Sequence, residues 1–175
     1  MMSVNPASKY FVKLDLLQGY HQIPLTDKSK NLFVFALEYG LYRYTRAPMG
    51  YTGSSHYFNK VIQKLMEGIG GVHIEIDDLL IKAEEMLEAL DILRKVLTRC
   101  RMKNIKLARH KLEFGTQINF AGTYLGGPDG YRPTTAKIES IINMPAPTNL
   151  TELRSFLGCW NQLRHYIPDY NHSVS

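Results

Sequence analysis

The stretch that decides the fold runs Val72-His73-Ile74-Glu75-Ile76-Asp77-Asp78-Leu79-Leu80-Ile81. Apolar and polar residues alternate from Val72 to Ile76, which is the pattern of a half-buried β-strand. Two adjacent aspartates follow this strand, and aspartate is common where strands end and turn. The stretch therefore predicts a β-hairpin that carries a pair of carboxylates.

A third carboxylate, Asp15, ends a similar strand that runs Tyr10-Phe11-Val12-Lys13-Leu14. If the fold brings these strand ends together, they suit a two-metal phosphoryl-transfer site. Two divalent cations about 3.5–4 Å apart need several carboxylates to neutralise them. Magnesium prefers such oxygen ligands. On spacing alone, a plain hairpin turn explains Asp77-Asp78 equally well.

The segments around these carboxylates favour the catalytic interpretation. In chain order they resemble the motifs of reverse transcriptases from gypsy-type long-terminal-repeat retrotransposons. The matching segments are 13–23 (KLDLLQGYHQI), 47–51 (APMGY), 74–81 (IEIDDLLI), 111–114 (KLEF), 120–122 (FAG), 130–133 (GYRP) and 153–158 (LRSFLG). The resemblance extends over nearly the whole chain, and the order of the motifs makes it specific.

The resemblance implies an α+β fold. We expect a polymerase palm, with a small antiparallel sheet backed by helices, over residues 9–126. A short, mostly helical thumb or connection segment would follow over 127–175, and residues 1–8 would form a disordered lead. Fingers and ribonuclease H domains are expected in a full-length polyprotein.

The resemblance also implies the reaction, which is that of an RNA-directed DNA polymerase. Asp15 and Asp77 would be the principal ligands of two Mg²⁺ ions, with Mn²⁺ as an alternative, and Asp78 would lie beside them. Deoxynucleotides would be transferred in line to a primer 3′-hydroxyl. The implied partners are an RNA or DNA template with its primer and deoxynucleoside triphosphates.

Three residues match family positions that contact the incoming nucleotide. Tyr20 would place an aromatic ring under the sugar and exclude a 2′-hydroxyl, although a tyrosine packed under a turn explains the residue as well. Met49 and Gly50 would line the nucleotide pocket, where a glycine lets the backbone approach the ligand closely.

Further matches concern the pyrophosphate and the primer. Lys111 would orient the pyrophosphate or act as its general acid, while a solvated surface lysine is the alternative. The primer grip would be formed by Phe120, Ala121 and Gly122, although this hairpin could equally be plain core. Arg154 is a candidate contact to the template–primer backbone, or a surface arginine.

Glu75 departs from the family pattern, which has an aromatic residue at this position. We expect its carboxylate to share a face with His73 and Asp77 and to weaken primer binding by repulsion. The family places a fingers segment before Lys9, and we expect this chain to lack that segment. These departures favour an alternative function, in which a domesticated or degenerate palm serves as a non-catalytic nucleic-acid or protein interaction module. A metal-dependent nuclease on another fold is disfavoured by the motif order.

Composition and local patterns complete the predictions. The net charge of +5 suits a polyanionic partner. The two cysteines lack metal-ligand spacing, which favours free thiols in a reducing compartment. The resemblance implies an intracellular location in the cytoplasm, a virus-like particle or the nucleus, and no apolar run is long enough to predict a membrane span. Ser54 or Ser55 is expected to cap a helix, and Asn149 with Glu152 has the spacing of a capping box for a later helix. Strand-like runs predict one β-hairpin over 32–46 and another over 114–125. A second helix over about 84–102 is expected to bury the residues Met86, Leu90, Leu93, Leu97 and Cys100.

Overall fold

The protein is described by a computed structural model that covers residues 7–128, 130–164 and 166. The chain divides between Gly115 and Thr116 into two compact units. The predicted boundary between 126 and 127 stays a prediction, and most of the predicted lead lies outside the described residues. Within the described part of the chain, no helix is both long enough and apolar enough to cross a membrane.

The first unit contains six strands and three helices among its described residues. They are β1 (Tyr10–Asp15), α1 (Asp27–Lys30), β2 (Val34–Leu37), β3 (Gly40–Arg43), α2 (Thr52–Met66), β4 (Val72–Glu75), β5 (Asp78–Ala83), α3 (Met86–Met102) and β6 (Glu113–Gly115). Four of the strands form an antiparallel sheet in the order β4-β5-β1-β6. This arrangement confirms the predicted α+β fold class with a small antiparallel sheet.

One face of the sheet is apolar, because alternate side chains of each strand point to the same side. The buried residues of this face pack with α2 and α3 into one core. The sheet contributes Val12, Leu14, Leu79 and Ile81, and the helices contribute Phe58, Ile62, Ala89 and Val96. The opposite face buries Phe11 and Leu80 and also carries polar residues of the strands.

The predicted buried face of α3 is wrong by one helical position. The buried residues are Ala89, Ile92, Val96 and Cys100. Met86, Leu90 and Leu97 are 41–47% exposed, whereas Cys100 belongs to both sets and Leu93 is half-buried against the core. Both sets have helical spacing, but small residues at positions such as Ala89 let the helix axis approach the core more closely.

The predicted cap of α2 is also wrong. The helix begins at Thr52, and its N-cap residue, Tyr51, makes no capping hydrogen bond through its side chain. The Ser54 hydroxyl is buried and donates to the Pro48 carbonyl at 3.0 Å. Ser54 therefore fixes the loop before the helix instead of capping the helix.

The predicted hairpin over 32–46 is confirmed as β2 and β3, which pair with each other and not with the sheet. A two-residue turn joins them. Phe35 lies 6.0 Å from Tyr42 and 4.9 Å from Tyr44, measured between ring centroids. These aromatic contacts join the two strands of the hairpin.

The described residues of the second unit form a three-stranded sheet and two helices. Its elements are β7 (Gln117–Phe120), β8 (Thr123–Gly126), β9 (Tyr131–Pro133), α4 (Thr135–Ile142) and α5 (Leu150–Asn161). The predicted hairpin over 114–125 is shifted, because Phe114 belongs to β6. The predicted cap of α5 is confirmed, since Asn149 Oδ1 accepts from the Glu152 N–H at 2.9 Å.

Candidate active site

The sheet brings three carboxylates together at one end. Strands β1 and β5 are neighbours, and Asp15 is directly opposite Asp78. Asp77 lies in the turn between β4 and β5, and its carbonyl accepts from the Leu16 N–H at 2.9 Å. The predicted convergence is therefore observed, but Asp77 is a turn residue and does not end a strand.

The turn that presents these carboxylates is strained. Glu75 is opposite Asp78, so Ile76 and Asp77 alone form the loop. Ile76 has φ 53°, a value that two-residue hairpin turns need at their first central position. A β-branched residue rarely adopts this conformation, and such strain costs about 1–3 kcal/mol. The surrounding structure therefore holds Ile76 in a backbone conformation that isoleucine disfavours.

The carboxylates perturb one another electrostatically. Partial burial raises the pKa of Asp77, and the charges of Asp15 and Asp78 raise it further. Burial also raises the pKa of Asp78, although Lys13 acts in the opposite direction. This side of the sheet therefore concentrates negative charge, which favours protons or other cations.

Lys111 is the cation that meets this cluster. Its Nζ lies 2.8 Å from Asp15 Oδ2, and the hydrogen bond and charge of Asp15 raise the pKa of Lys111. A short 3-10 turn over Arg109–Lys111 places the lysine, and the Ala108 N–H donates to the Asp15 carbonyl at 2.9 Å. Lys111 is therefore part of the carboxylate site.

The donor set fits a hard divalent cation, although the described residues form no preformed metal cage. Asp77 Oδ1 is buried and accepts no hydrogen bond from the described residues. A buried carboxylate oxygen without a donor is costly, and a cation would satisfy it. Across the described residues, however, no three His, Cys, Asp or Glu side chains are grouped as a metal site. Asp15 Oδ2 is instead bonded to Lys111.

Gly19 makes the close packing behind Asp77 possible. A Cβ at this position would lie 2.7 Å from Phe58 Cζ and 2.8 Å from Asp77 Oδ1. No larger residue fits without moving one of these groups. This role of Gly19 was not predicted from the sequence, where it is indicated only by the presence of a glycine in the motif that follows Asp15.

Tyr20 is packed as the structural alternative predicted. Its ring packs edge-on against Phe58 at 5.4 Å between centroids, and it is partly buried against the core. Met49 is 62% exposed in the loop before α2, and Gly50 has φ 85° with open space around its Cα. The nucleotide-contacting roles of these three residues stay predictions.

The three predicted primer-grip residues lie in the second unit. Phe120 is fully buried at the end of β7. Ala121 and Gly122 form the turn to β8 with φ 49° and 74°, which is the geometry of a type I′ hairpin turn. Arg154 lies exposed on α5. Their contacts to nucleic acid stay predictions.

Glu75 lies beside the carboxylate cluster. Its Oε2 is 3.5 Å from His73 Nε2, which confirms the shared face with His73. Its cross-strand neighbour is Asp78 and not Asp77, because Asp77 has left the strand. Burial and the charge of Lys82 lower the pKa of His73, so this histidine is a weak counterion for Glu75.

Known proteins share this fold. A foamy viral protease-reverse transcriptase, solved in complex with double-stranded DNA, matches with a TM-score of 0.85 and 25% identity. The match covers 98% of this chain and 32% of that chain. The architecture is therefore that of a reverse transcriptase.

Sequence comparison identifies the family. Residues 1–126 match the family model described as reverse transcriptase (RNA-dependent DNA polymerase), so this chain belongs to the reverse transcriptase family. The Pol polyprotein from transposon 297 of Drosophila melanogaster is 32% identical over 165 residues, which cover 93% of this chain. That from transposon gypsy of the same species is 28% identical over 166 residues, which also cover 93%. The chain spans 16% of each relative, and the predicted resemblance is confirmed.

Proposed function

We propose that this chain supplies the palm of an RNA-directed DNA polymerase that adds deoxynucleotides to a primer 3′-hydroxyl. The observation that carries the proposal is the convergence of Asp15, Asp77 and Asp78 at one end of the sheet. Burial raises the pKa of Asp77 and of Asp78, and the neighbouring carboxylates raise both further, so a divalent cation at this site would relieve an unfavourable concentration of negative charge.

Asp15, Asp77 and Asp78 would hold two Mg²⁺ ions, or Mn²⁺. When bound, such ions neutralise phosphate charge and activate the attacking hydroxyl. The Lys111 ammonium would leave Asp15 for the nucleotide phosphates, which its 54% side-chain exposure allows. The Tyr20 ring, supported by Phe58, would exclude a 2′-hydroxyl.

The proposed partners are a template–primer duplex and deoxynucleoside triphosphates. The double-stranded DNA named for the foamy viral relative supports a nucleic-acid partner. The Ala121-Gly122 turn would contact the primer. Fingers and ribonuclease H domains would be supplied by other parts of a longer polyprotein, since the relatives are much longer than this chain.

A non-catalytic role is the second candidate, and Glu75 favours it. Its side chain is about half exposed and opposite Asp78, where it adds negative charge to the cluster. The hydrogen bond from Lys111 Nζ also occupies Asp15 Oδ2, one of the carboxylate oxygens that could ligate a metal ion. A degenerate palm of this kind would bind nucleic acid or protein without polymerising.

Primer extension on an RNA template with a DNA primer separates the two candidates. The chain should be assayed alone and joined to the remaining polymerase segments of its transposon relatives. We expect Mg²⁺-dependent extension by the joined protein, and its loss in Asp15→Asn and Asp77→Asn. Asp27→Asn, at a surface carboxylate on α1, serves as the matched control. Extension that survives Asp77→Asn would refute the proposed site, and a joined protein that binds template–primer without extending it would support the second candidate.

A further inference from the structure

A cavity of about 550 Å³ lies beside the C-terminal half of α3 in the first unit. The loop between α2 and β4 forms one wall through Gly68 and Gly70, and α3 forms the other wall. None of the residues assigned above to the carboxylate site lines this cavity. It is therefore a separate feature of the palm.

The cavity wall is positively charged. Arg94, Lys95 and Arg99 all line it, and the described lining residues include no aspartate or glutamate. Asp91 lies 2.6 Å from Lys95 Nζ and compensates that charge in part. Two guanidinium groups remain, so the cavity has the charge expected of an anion site.

One of these guanidinium groups is already held in place. Arg99 donates to the Leu65 carbonyl at 2.8 Å and also to the Glu67 carbonyl. Fixing a side chain before binding lowers the entropy lost when a ligand arrives. The opposite wall has no Cβ at Gly68 or Gly70, and a Cβ there would meet nothing within 4 Å. A ligand can therefore approach this backbone closely.

Two more cations line a second cavity, and one of them directly follows Met102 of the first cavity in sequence. Lys103, the C-cap residue of α3, and Lys64 of α2 line a second cavity of about 510 Å³. A line of cations along one helix matches the repeated charge of a nucleic-acid backbone. Arginine also binds phosphate through two parallel hydrogen bonds.

We propose that the Arg94–Arg99 cavity binds the phosphate groups of a nucleic-acid strand outside the carboxylate site. The family assignment points to nucleic acid as the source of phosphate, but the proposal does not require polymerase activity. A strand held here would add affinity for template without taking part in nucleotide addition.

Fluorescence anisotropy with a single-stranded oligonucleotide, without divalent metal, tests the proposal on the full chain. The test variant is Arg94→Gln with Lys95→Gln, and the charge-matched control is Lys9→Gln with Lys28→Gln. Arg99 is left intact, because its removal would leave two carbonyls without donors. Each phosphate contact contributes about 0.7 to the salt slope of single-strand binding. The salt slope of the test variant should be smaller than that of the parent by about 1.4. Between about 50 and 200 mM salt, the parent should therefore lose about seven times more affinity, as a ratio, than the test variant loses.

Equal slopes for the parent, the control and the folded test variant would overturn the proposal. Amide resonances of Gly68 and Gly70 provide a second readout, and they should shift with the oligonucleotide. Shifts produced by a mononucleotide but not by the strand would assign the site to free nucleotide and contradict the proposal. Displacement of the strand by polyglutamate at equal charge would also contradict it, because a phosphate site should prefer phosphate.

Discussion

Gly19→Ala should destabilise the first unit and disturb the carboxylate site together. The added methyl group would lie 2.7 Å from Phe58 Cζ and 2.8 Å from Asp77 Oδ1. At these distances the Phe58 ring, the Asp77 carboxylate or the backbone at residue 19 must move. Phe58 is 1% exposed and cannot retreat into solvent. Overpacking of this kind costs about 1–3 kcal/mol, and we expect the upper half of that range. Urea denaturation measures the change in the free energy of unfolding.

Two further variants make this test specific. Gly70→Ala is the matched control, because a Cβ there meets nothing within 4 Å, and it should leave stability unchanged or slightly higher. In a Phe58→Leu background, Gly19→Ala should cost less, since the ring atom at 2.7 Å is gone. A cost below about 0.5 kcal/mol for Gly19→Ala in the parent would refute the described packing, because overpacking should exceed it.

Three other predictions follow from the same site. Asp77→Asn should raise the free energy of unfolding at neutral pH. Because the pKa of Asp77 is raised on folding, the protonated side chain favours the folded state. That stabilisation is complete below about pH 3.8 and is lost as pH rises through the pKa of the folded protein. The stability gained by Asp77→Asn should therefore vanish when denaturation is measured in acid. Glu75→Tyr should strengthen template–primer binding severalfold at low salt, since the repulsion it removes is about 1 kcal/mol at ~4 Å in water, and a salt series of binding isotherms with no gain would contradict this. Tyr20→Ala, in a polymerising protein that still folds, should raise the ratio of ribo- to deoxynucleotide incorporation. An unchanged ratio would reject the proposal that the Tyr20 ring excludes a 2′-hydroxyl.

The hairpins and the carboxylate convergence could be predicted because both depend on local patterns. Alternation defined β1 and β4, and motif order indicated that Asp15 and Asp77-Asp78 meet. The asparagine cap of α5 was equally local, since Asn149 bonds a backbone group three residues away. Such features need no knowledge of distant neighbours.

The remaining features depend on contacts between distant parts of the chain. Two faces of α3 have helical spacing, and only packing against the core selects Ala89 over Leu90. The role of Gly19 follows from the positions of Phe58 and Asp77, which no sequence pattern reports. The Lys111–Asp15 bond likewise depends on where a 3-10 turn packs beside β1.

Mn²⁺ titration followed by nuclear magnetic resonance tests the central claim most directly, because this paramagnetic ion broadens resonances near its site. The experiment uses the full chain with a deoxynucleoside triphosphate present, since sites with few protein ligands bind such ions weakly. We predict that broadening begins at the amides of Asp15, Ile76, Asp77 and Asp78, and that Asp77→Asn abolishes this pattern. Broadening centred on the acidic residues Glu84–Asp91, or a pattern unchanged by Asp77→Asn, would contradict the assignment of the carboxylate cluster as the metal site.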